Sequence, residues 1–252
     1  MRAPRKSEGY VVYRDRREAG RRLAEALARY EGERPVILAA PRGGVPVAAE
    51  VASRLHADLD LVIARKIGVP FQPELAMGAV VDGPEPITVR NEDVIALAGV
   101  TEAEFDAVRA RELAEISRRR QRYAGDRPRA KVEGRTAIVI DDGIATGATM
   151  RAALRAVRSQ HPSKLVLAVP VAASDSLNGL RSEADEVVCL GAYEQFGAIG
   201  FFYSDFSAVP DEAVIEIMKA HPAAQPAAPG KSAPSAAGDV VHGREAPQGT
   251  AR

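Results

Sequence analysis

The sequence of 252 residues contains no tryptophan, a single cysteine and only 5% aromatic residues. A lone Cys189 excludes a disulfide framework within the chain and favours a reducing compartment. Lysine and arginine together number 34, as do aspartate and glutamate, so the net charge is zero. This balance argues against a broad nucleic-acid coat, which requires surplus basic side chains to neutralise phosphates. It remains compatible with a local anion site.

The sequence also lacks long hydrophobic runs. About 18 consecutive apolar residues are needed to span a membrane, and no segment reaches that length. The basic start is not followed by the apolar stretch typical of a secretory signal. We therefore expect a soluble, cytoplasmic protein that does not act at a membrane.

Strand-like and helix-like segments alternate along the chain. Short apolar runs typical of strands buried on both faces occur at 36–40, 59–64, 136–140 and 164–169, each followed by or joined to a helical pattern. This alternation predicts an α/β fold, a doubly wound and mainly parallel sheet with helices on both faces. The pieces MGAVV and PITVR, separated by DGPE, predict an additional small β-hairpin.

Helix boundaries are also marked. The sequence predicts Asp15 as the N-cap of the first helix and Asn91 as that of a short one, and Thr101 with Glu104 as the capping box of a longer one. Beyond His221 the sequence is almost entirely Ala, Pro, Gly and Ser. Such a segment cannot bury enough apolar surface to offset its ordering entropy. We therefore expect one domain over 10–222 and a disordered tail over 223–252.

The longest motif-like run is AIVIDDGIATGATM, at 137–150. A buried strand would deliver Asp141 and Asp142 to the carboxyl edge of the sheet, where open α/β sheets bind ligands. Gly147 lets the backbone approach a ligand, and the free N–H groups at a helix start favour phosphate. Two carboxylates instead suit hydroxyl groups or a cation. A sugar phosphate carries both a phosphate for the helix start and hydroxyl groups for the carboxylates. The acid pair alone is also compatible with a simple turn.

The run IVIDDGIATGAT resembles the phosphoribosyl pyrophosphate (PRPP) binding motif of type I phosphoribosyltransferases: an apolar strand, two acids, a short spacer and T-G-x-T. The resemblance extends over roughly 10–220 in the order of elements. It implies that Asp141 and Asp142 contact the ribose hydroxyls. It also implies a loop around the 5-phosphate, formed by Ala145, Thr146, Gly147, Ala148 and Thr149.

Two further segments follow predicted strands. In PRGG, Arg42 offers a fork of donors for phosphate, while Gly43 and Gly44 permit a tight backbone with exposed N–H groups. A plain turn is the alternative. Lys66, in RKIG, resembles the family's basic residue that reaches the pyrophosphate, and a solvated lysine is the alternative. The resemblance implies that these residues hold the leaving pyrophosphate, in one crevice with the acid pair.

The acceptor pocket is less well specified. Family members place a variable hood over the acceptor, and the aromatic run AYEQFGAIGFFYSDF offers Phe196 and Tyr203 to stack on a planar base. A hydrophobic cover on the core is the alternative. Glu74 and Asp82 could also line the pocket, but an exposed loop acid is the favoured interpretation of both. Ala145 stands where 6-oxopurine members carry an Asp, which argues against hypoxanthine and guanine.

The resemblance implies a PRPP-dependent pentosyltransferase of nucleotide metabolism, with a nucleobase or related heterocycle as acceptor. Asp141, Asp142, Lys66 and Arg42 are the expected catalytic residues. Mg²⁺ is expected to arrive with PRPP, and no direct protein ligand for it is assigned. The alternative is a PRPP- or nucleotide-sensing regulator without turnover. The basic cluster SRRRQR is interpreted as a solvated helix face rather than a nucleic-acid site, and a homodimer is left open.

Overall fold

The computed structural model describes residues 11–221, and the core of this part is a five-stranded parallel sheet. The eight strands of this part, numbered in chain order, are β1 (Val36–Ala39), β2 (Asp58–Leu61), β3 (Ala64–Val69), β4 (Gln72–Val81), β5 (Ile87–Arg90), β6 (Thr136–Ile140), β7 (Lys164–Ala173) and β8 (Glu186–Tyr193). Its seven α-helices are α1 (Arg16–Ala26), α2 (Gly44–Leu55), α3 (Glu92–Ala98), α4 (Glu102–Ala124), α5 (Ala148–Arg158), α6 (Ser174–Leu180) and α7 (Asp211–Ala220). The tail expected over 223–252 lies outside the described residues.

The order of strands in the parallel sheet is β2-β1-β6-β7-β8. Every residue of β1 and of β6 is buried, because helices cover both faces of the sheet. After β1 the chain adds β2 on one side of the sheet, and after β6 it adds β7 and β8 on the other side. The order of strands therefore reverses between β1 and β6, and the carboxyl edge at such a point is where open α/β sheets bind ligands. The predicted doubly wound fold is confirmed.

A second, antiparallel sheet of order β3-β4-β5 packs beside the first. It contains the predicted hairpin, but it also corrects one prediction. The expected strand at 59–64 and the expected loop around Lys66 are instead two strands, since β2 ends at Leu61 and Lys66 lies within β3, opposite Ala79 of β4. Ile67 and Val69 are fully buried, so alternate residues of β3 anchor this strand to the core while Lys66 faces outward.

The helix caps predicted from the sequence are present. The Asp15 carboxylate accepts a hydrogen bond from the Glu18 N–H at 2.7 Å, and the Asn91 side chain caps α3. Thr101 and Glu104 form the reciprocal capping box of α4. Each cap satisfies helix N–H groups that have no partner within the helix, so these boundaries are fixed by local chemistry.

The basic cluster on α4 is divided between surface and core. On the surface, the Glu115 carboxylate pairs with Arg118 and Arg119 at 2.7 Å each. Arg120, only 8% exposed, instead pairs with Asp60 and with Asp82. The interpretation of Asp82 as an exposed loop acid is therefore wrong. The buried ion pairs of Arg120 join α4 to both sheets, and this arginine is not accessible to a ligand.

Within residues 11–221, no helix is both long and apolar enough to cross a bilayer.

Candidate active site

The loops after β1 and β6 touch at the carboxyl edge of the parallel sheet. The Ala40 N–H donates to the Ile140 carbonyl at 2.9 Å. A Cβ on Gly44 would lie 2.7 Å from that same carbonyl oxygen and 2.9 Å from the Cα of Asp141. Such distances are too short for a side chain, so glycine is required for the two loops to approach this closely. The peptide between Pro41 and Arg42, in the first of these loops, is cis.

Asp141 and Asp142 stand side by side at the end of β6. Asp141 is partly exposed, whereas Asp142 is 7% exposed. The Asp142 N–H donates to Oδ1 of Asp141 at 2.8 Å, and Nε of Arg16 donates to Oδ2 of Asp142 at 2.7 Å. Although the residue as a whole is partly exposed, desolvation of its carboxyl group and the neighbouring carboxylate raise the pKa of Asp141 well above its usual range. Burial also raises the pKa of Asp142, although Arg16 opposes that rise.

The loop between the acid pair and α5 presents its backbone to solvent. Ala145, Thr146, Ala148 and Thr149 are exposed. Gly147, at φ +75°, is the N-cap of α5, and no side chain caps this helix. The first N–H groups of α5 and the positive end of its dipole are therefore available to an anion.

A cavity of about 80 Å³ connects these segments. Its lining comes from the loop after β1, the end of β2, the start of β3, the acid pair and the first turns of α5: Ala40, Pro41, Val62, Ala64, Asp141, Thr149, Met150 and Ala153. The cavity thus connects the loop after β1 with Asp141 and the first turns of α5. The residues Arg42, Lys66 and Asp142 are not among those that line it.

The two candidate pyrophosphate-binding cations are held by other acids. Nη1 of Arg42 lies 3.3 Å from Oδ1 of Asp211, at the start of α7. Nζ of Lys66 donates to the carbonyl of Glu74 at 3.2 Å and to its carboxylate at 3.1 Å. Both cations lie at the surface, since the side chain of Arg42 is 46% exposed and that of Lys66 is 37% exposed.

The aromatic run forms a cluster over the ends of β7 and β8. Phe196 is 5% exposed and stacks on Phe202 with 4.9 Å between ring centroids, so its ring offers no open face to a planar base. The placement of Phe196 in an acceptor pocket is corrected to a place in the core. Tyr203 is also buried, and its hydroxyl donates to the carbonyl of Asp142 at 2.6 Å. Burial raises the pKa of the Tyr203 phenol, which therefore remains a donor.

The start of the described chain contributes to this cover, which sequence reasoning missed. The Tyr13 N–H donates to the Phe202 carbonyl at 2.8 Å, and the Ser204 N–H donates to the Tyr13 carbonyl at 2.7 Å. Arg16 then follows and pairs with Asp142. No local pattern distinguishes Arg16 from the other arginines of α1, because the contact joins residues 126 positions apart.

Comparison with known proteins identifies the family to which this fold belongs. The sequence model of the phosphoribosyl transferase domain matches residues 13–196. The chain belongs to this family. The match includes β1 to β8 and both loops of the crevice, and it confirms the family expected from the motif.

Relatives of known sequence and structure agree with this assignment. Proteins named "Putative phosphoribosyl transferase" from two strains of Mycobacterium tuberculosis are 44% identical to this chain over 211 residues. The match covers 83% of this chain and 47% of each relative, so the chain spans about half the length of these curated relatives. The crystal structure of TT1426 from Thermus thermophilus has 43% sequence identity and a TM-score of 0.73, covering 84% of this chain and 100% of that one.

Gly147 provides a test of the expectation that the loop at 145–149 binds the 5-phosphate of PRPP. Gly147→Ala forces a side chain into the left-handed region, which costs about 1–2 kcal/mol, and brings its Cβ to 3.2 Å from Leu180. We expect PRPP affinity, measured by calorimetry, to fall about tenfold, because the start of α5 shifts.

Gly134→Ala is the matched control for this substitution. Gly134 has φ +69° with open space around its Cβ position. In thermal unfolding, Gly134→Ala should lose about as much stability as Gly147→Ala, but it should keep the wild-type affinity for PRPP. Equal PRPP affinities of the Gly147 and Gly134 variants would contradict a phosphate site at α5.

Proposed function

We propose that this domain transfers ribose 5-phosphate from PRPP to an acceptor, with release of pyrophosphate. The observation that supports it most is that Asp141, the first of the acid pair, and the uncapped N-terminus of α5 lie at one cavity. In the reaction, the bond from the anomeric carbon to the pyrophosphate oxygen breaks and a bond to an acceptor nitrogen forms. The acceptor's proton passes to solvent, and pyrophosphate leaves with the bonding pair.

The acid pair and the loop after it divide the sugar phosphate between them. Asp141 and Asp142 are proposed to accept hydrogen bonds from the ribose hydroxyls. The 5-phosphate would lie at residues 145–149, where the exposed N–H groups and the dipole of α5 favour an anion. A ligand anchored at both ends is oriented for displacement, and positioning of this kind supplies much of the rate of a bimolecular reaction.

Arg42 and Lys66 are proposed to take the pyrophosphate. Each must then exchange its present carboxylate partner for a phosphate oxygen. Ion pairs this exposed contribute only about 0–1 kcal/mol, so the exchange costs little. Gly43 and Gly44 would add backbone N–H groups to the same subsite. These donors would stabilise the negative charge that develops on the leaving group.

Magnesium fits this scheme as a companion of the substrate. Among the described residues, no group of three or more His, Cys, Asp or Glu side chains could hold a metal ion. A hard cation bound mainly through pyrophosphate and ribose oxygens requires no such cage. When bound, it neutralises charge on the leaving group. The protein's own contribution is the placement of Arg42 and Lys66 beside that group.

The acceptor is proposed to be a nucleobase or related heterocycle. Glu74, whose carboxylate is almost fully exposed on β4 near the hairpin turn, stays a candidate for contact with it. Tyr203 is not part of the proposed acceptor pocket, because it is buried and its hydroxyl donates to the carbonyl of Asp142.

Turnover of labelled PRPP with a panel of bases and magnesium tests the proposal. We expect pyrophosphate release that depends on one class of acceptor. PRPP binding without release across the whole panel would instead support a PRPP-sensing regulator. Absence of both binding and turnover would contradict the proposed function.

A further inference from the structure

Arg16 is held on several sides beside the acid pair. Its Nε donates to Oδ2 of Asp142 at 2.7 Å, and its Nη1 donates to the Ser207 carbonyl at 2.9 Å. Its guanidinium carbon lies 3.9 Å from the centroid of the Phe206 ring. The side chains of Arg16 and Asp142 are only 11% and 10% exposed. These contacts confine the Arg16 side chain to its position beside Asp142, unlike the side chain of an exposed arginine.

This contact determines how Asp142 is presented. A Cβ on Gly43 would lie 2.1 Å from Oδ2 of Asp142, so that oxygen is confined between the loop after β1 and Arg16. The hydroxyl of Tyr203 fixes the carbonyl of the same residue. The backbone and Oδ2 of Asp142 are therefore both held in place by other residues. Arg16 also offsets one of two adjacent negative charges, which would otherwise repel an anionic substrate.

We propose that Arg16 is a positioning residue of the sugar site, which holds Asp142 in the orientation that binds the ribose of PRPP. The inference rests on the proposed function and extends it to a residue outside the PRPP motif. It also gives the segment at 13–16 a role, since the backbone pairing of Tyr13 with the 202–204 segment sets where Arg16 enters the site. Arg16 is not proposed to touch the substrate.

A purely structural role is the competing explanation, because Arg16 also joins α1 to the Ser207 carbonyl. The two explanations differ in their dependence on Asp142. If Arg16 acts through that carboxylate, its removal is harmful only while the carboxylate is present. If Arg16 only joins two segments of the fold, its removal has the same effect whether the Asp142 carboxylate is present or absent.

The experiment compares Arg16→Ala, Arg16→Lys and Arg17→Ala, each alone and with Asp142→Asn. Arg17 is the matched control because it is the next residue of α1 and pairs with Glu50, with its side chain 59% exposed. We expect Arg16→Ala to raise the KM for PRPP about tenfold, which is the scale of one hydrogen bond to a charged group. Arg16→Lys should recover part of this loss, and Arg17→Ala should match the wild type.

In the Asp142→Asn background, Arg16→Ala should change the KM for PRPP less than about twofold. An equal rise in the KM for PRPP in both backgrounds would overturn the proposal, and would indicate that Arg16 only joins α1 to the segment at Ser207. Thermal unfolding of each variant shows whether it folds.

A second readout needs no PRPP. Carboxyl ¹³C NMR follows the titration of Asp142, which faces Arg16 on α1, Asp141 on its own segment and Tyr203 from the aromatic cluster. Because Arg16 stabilises the carboxylate form, Arg16→Ala should move that titration to higher pH. An unchanged titration would overturn the proposal. If the wild type binds no PRPP, the proposed function fails and the sugar-site role fails with it, whereas the titration still reports whether Arg16 controls Asp142.

Discussion

Asp141→Asn is expected to lower kcat/KM for PRPP about 10²-fold without lowering stability at neutral pH. Asparagine keeps the oxygen that accepts the Asp142 N–H at 2.8 Å, so the local backbone is unchanged. It removes a charge that would act on the ribose as positive charge develops there, and the loss of one such oriented group has this magnitude. Steady-state kinetics and thermal unfolding measure the two effects.

The pH dependence of stability sharpens this test. The pKa of Asp141 is raised in the folded protein, so the folded state binds more protons than the unfolded state. Its contribution to stability is present below the unfolded pKa and is lost as the pH rises through the raised folded pKa. Because asparagine does not titrate, Asp141→Asn abolishes this pH-dependent loss of stability. The variant should therefore gain stability relative to the wild type as the pH rises.

Asp106→Asn is the control for the carboxylate exchange, since Asp106 lies exposed on α4. It should leave kinetics and stability unchanged. Full activity of Asp141→Asn would rule out a role for this acid in catalysis, and a stability loss at neutral pH would contradict the repulsion between the paired carboxylates.

Gly43→Ala is expected to disable the site through a single methyl group. Gly43 has φ −59° and ψ −38°, which alanine adopts freely, so backbone strain contributes nothing. The added Cβ would lie 2.1 Å from Oδ2 of Asp142, a carboxylate already fixed by Arg16. Overpacking of this kind costs about 1–3 kcal/mol. A shift of about 1 Å in Asp142 would lower PRPP turnover about 10²-fold.

Gly179→Ala is the matched control for the added methyl group. In α6 the Cβ at position 179 would meet only the end of the flexible Arg151 side chain, at 3.0 Å. This substitution should be neutral or should stabilise the protein by about 0.4–1 kcal/mol, because alanine reduces the entropy of the unfolded chain. Calorimetric unfolding and PRPP kinetics on both variants measure the two effects. Wild-type turnover in Gly43→Ala would show that Asp142 need not keep this position.

Features encoded by neighbouring residues were predictable from the sequence. The capping box at Thr101 and the buried strand before Asp141 depend on contacts within a few positions, and both are found. The position of Lys66 was mispredicted because the apolar run at 59–64 conceals the boundary between two strands. Only the pairing of β3 with β4 determines where one sheet ends and the other begins.

The sequence by itself determined the alternating α/β order, the acid pair at the end of a buried strand and the glycine that begins α5. Each follows from periodicity or from the backbone freedom of one residue. Only the tertiary structure decided that Phe196 is buried, that Arg42 rests on Asp211 and that Arg16 holds Asp142. The two ion pairs join segments far apart in the chain, and Phe196 is buried in a cluster that includes the equally distant Tyr13. Such long-range contacts leave no periodic signature in the residues that form them.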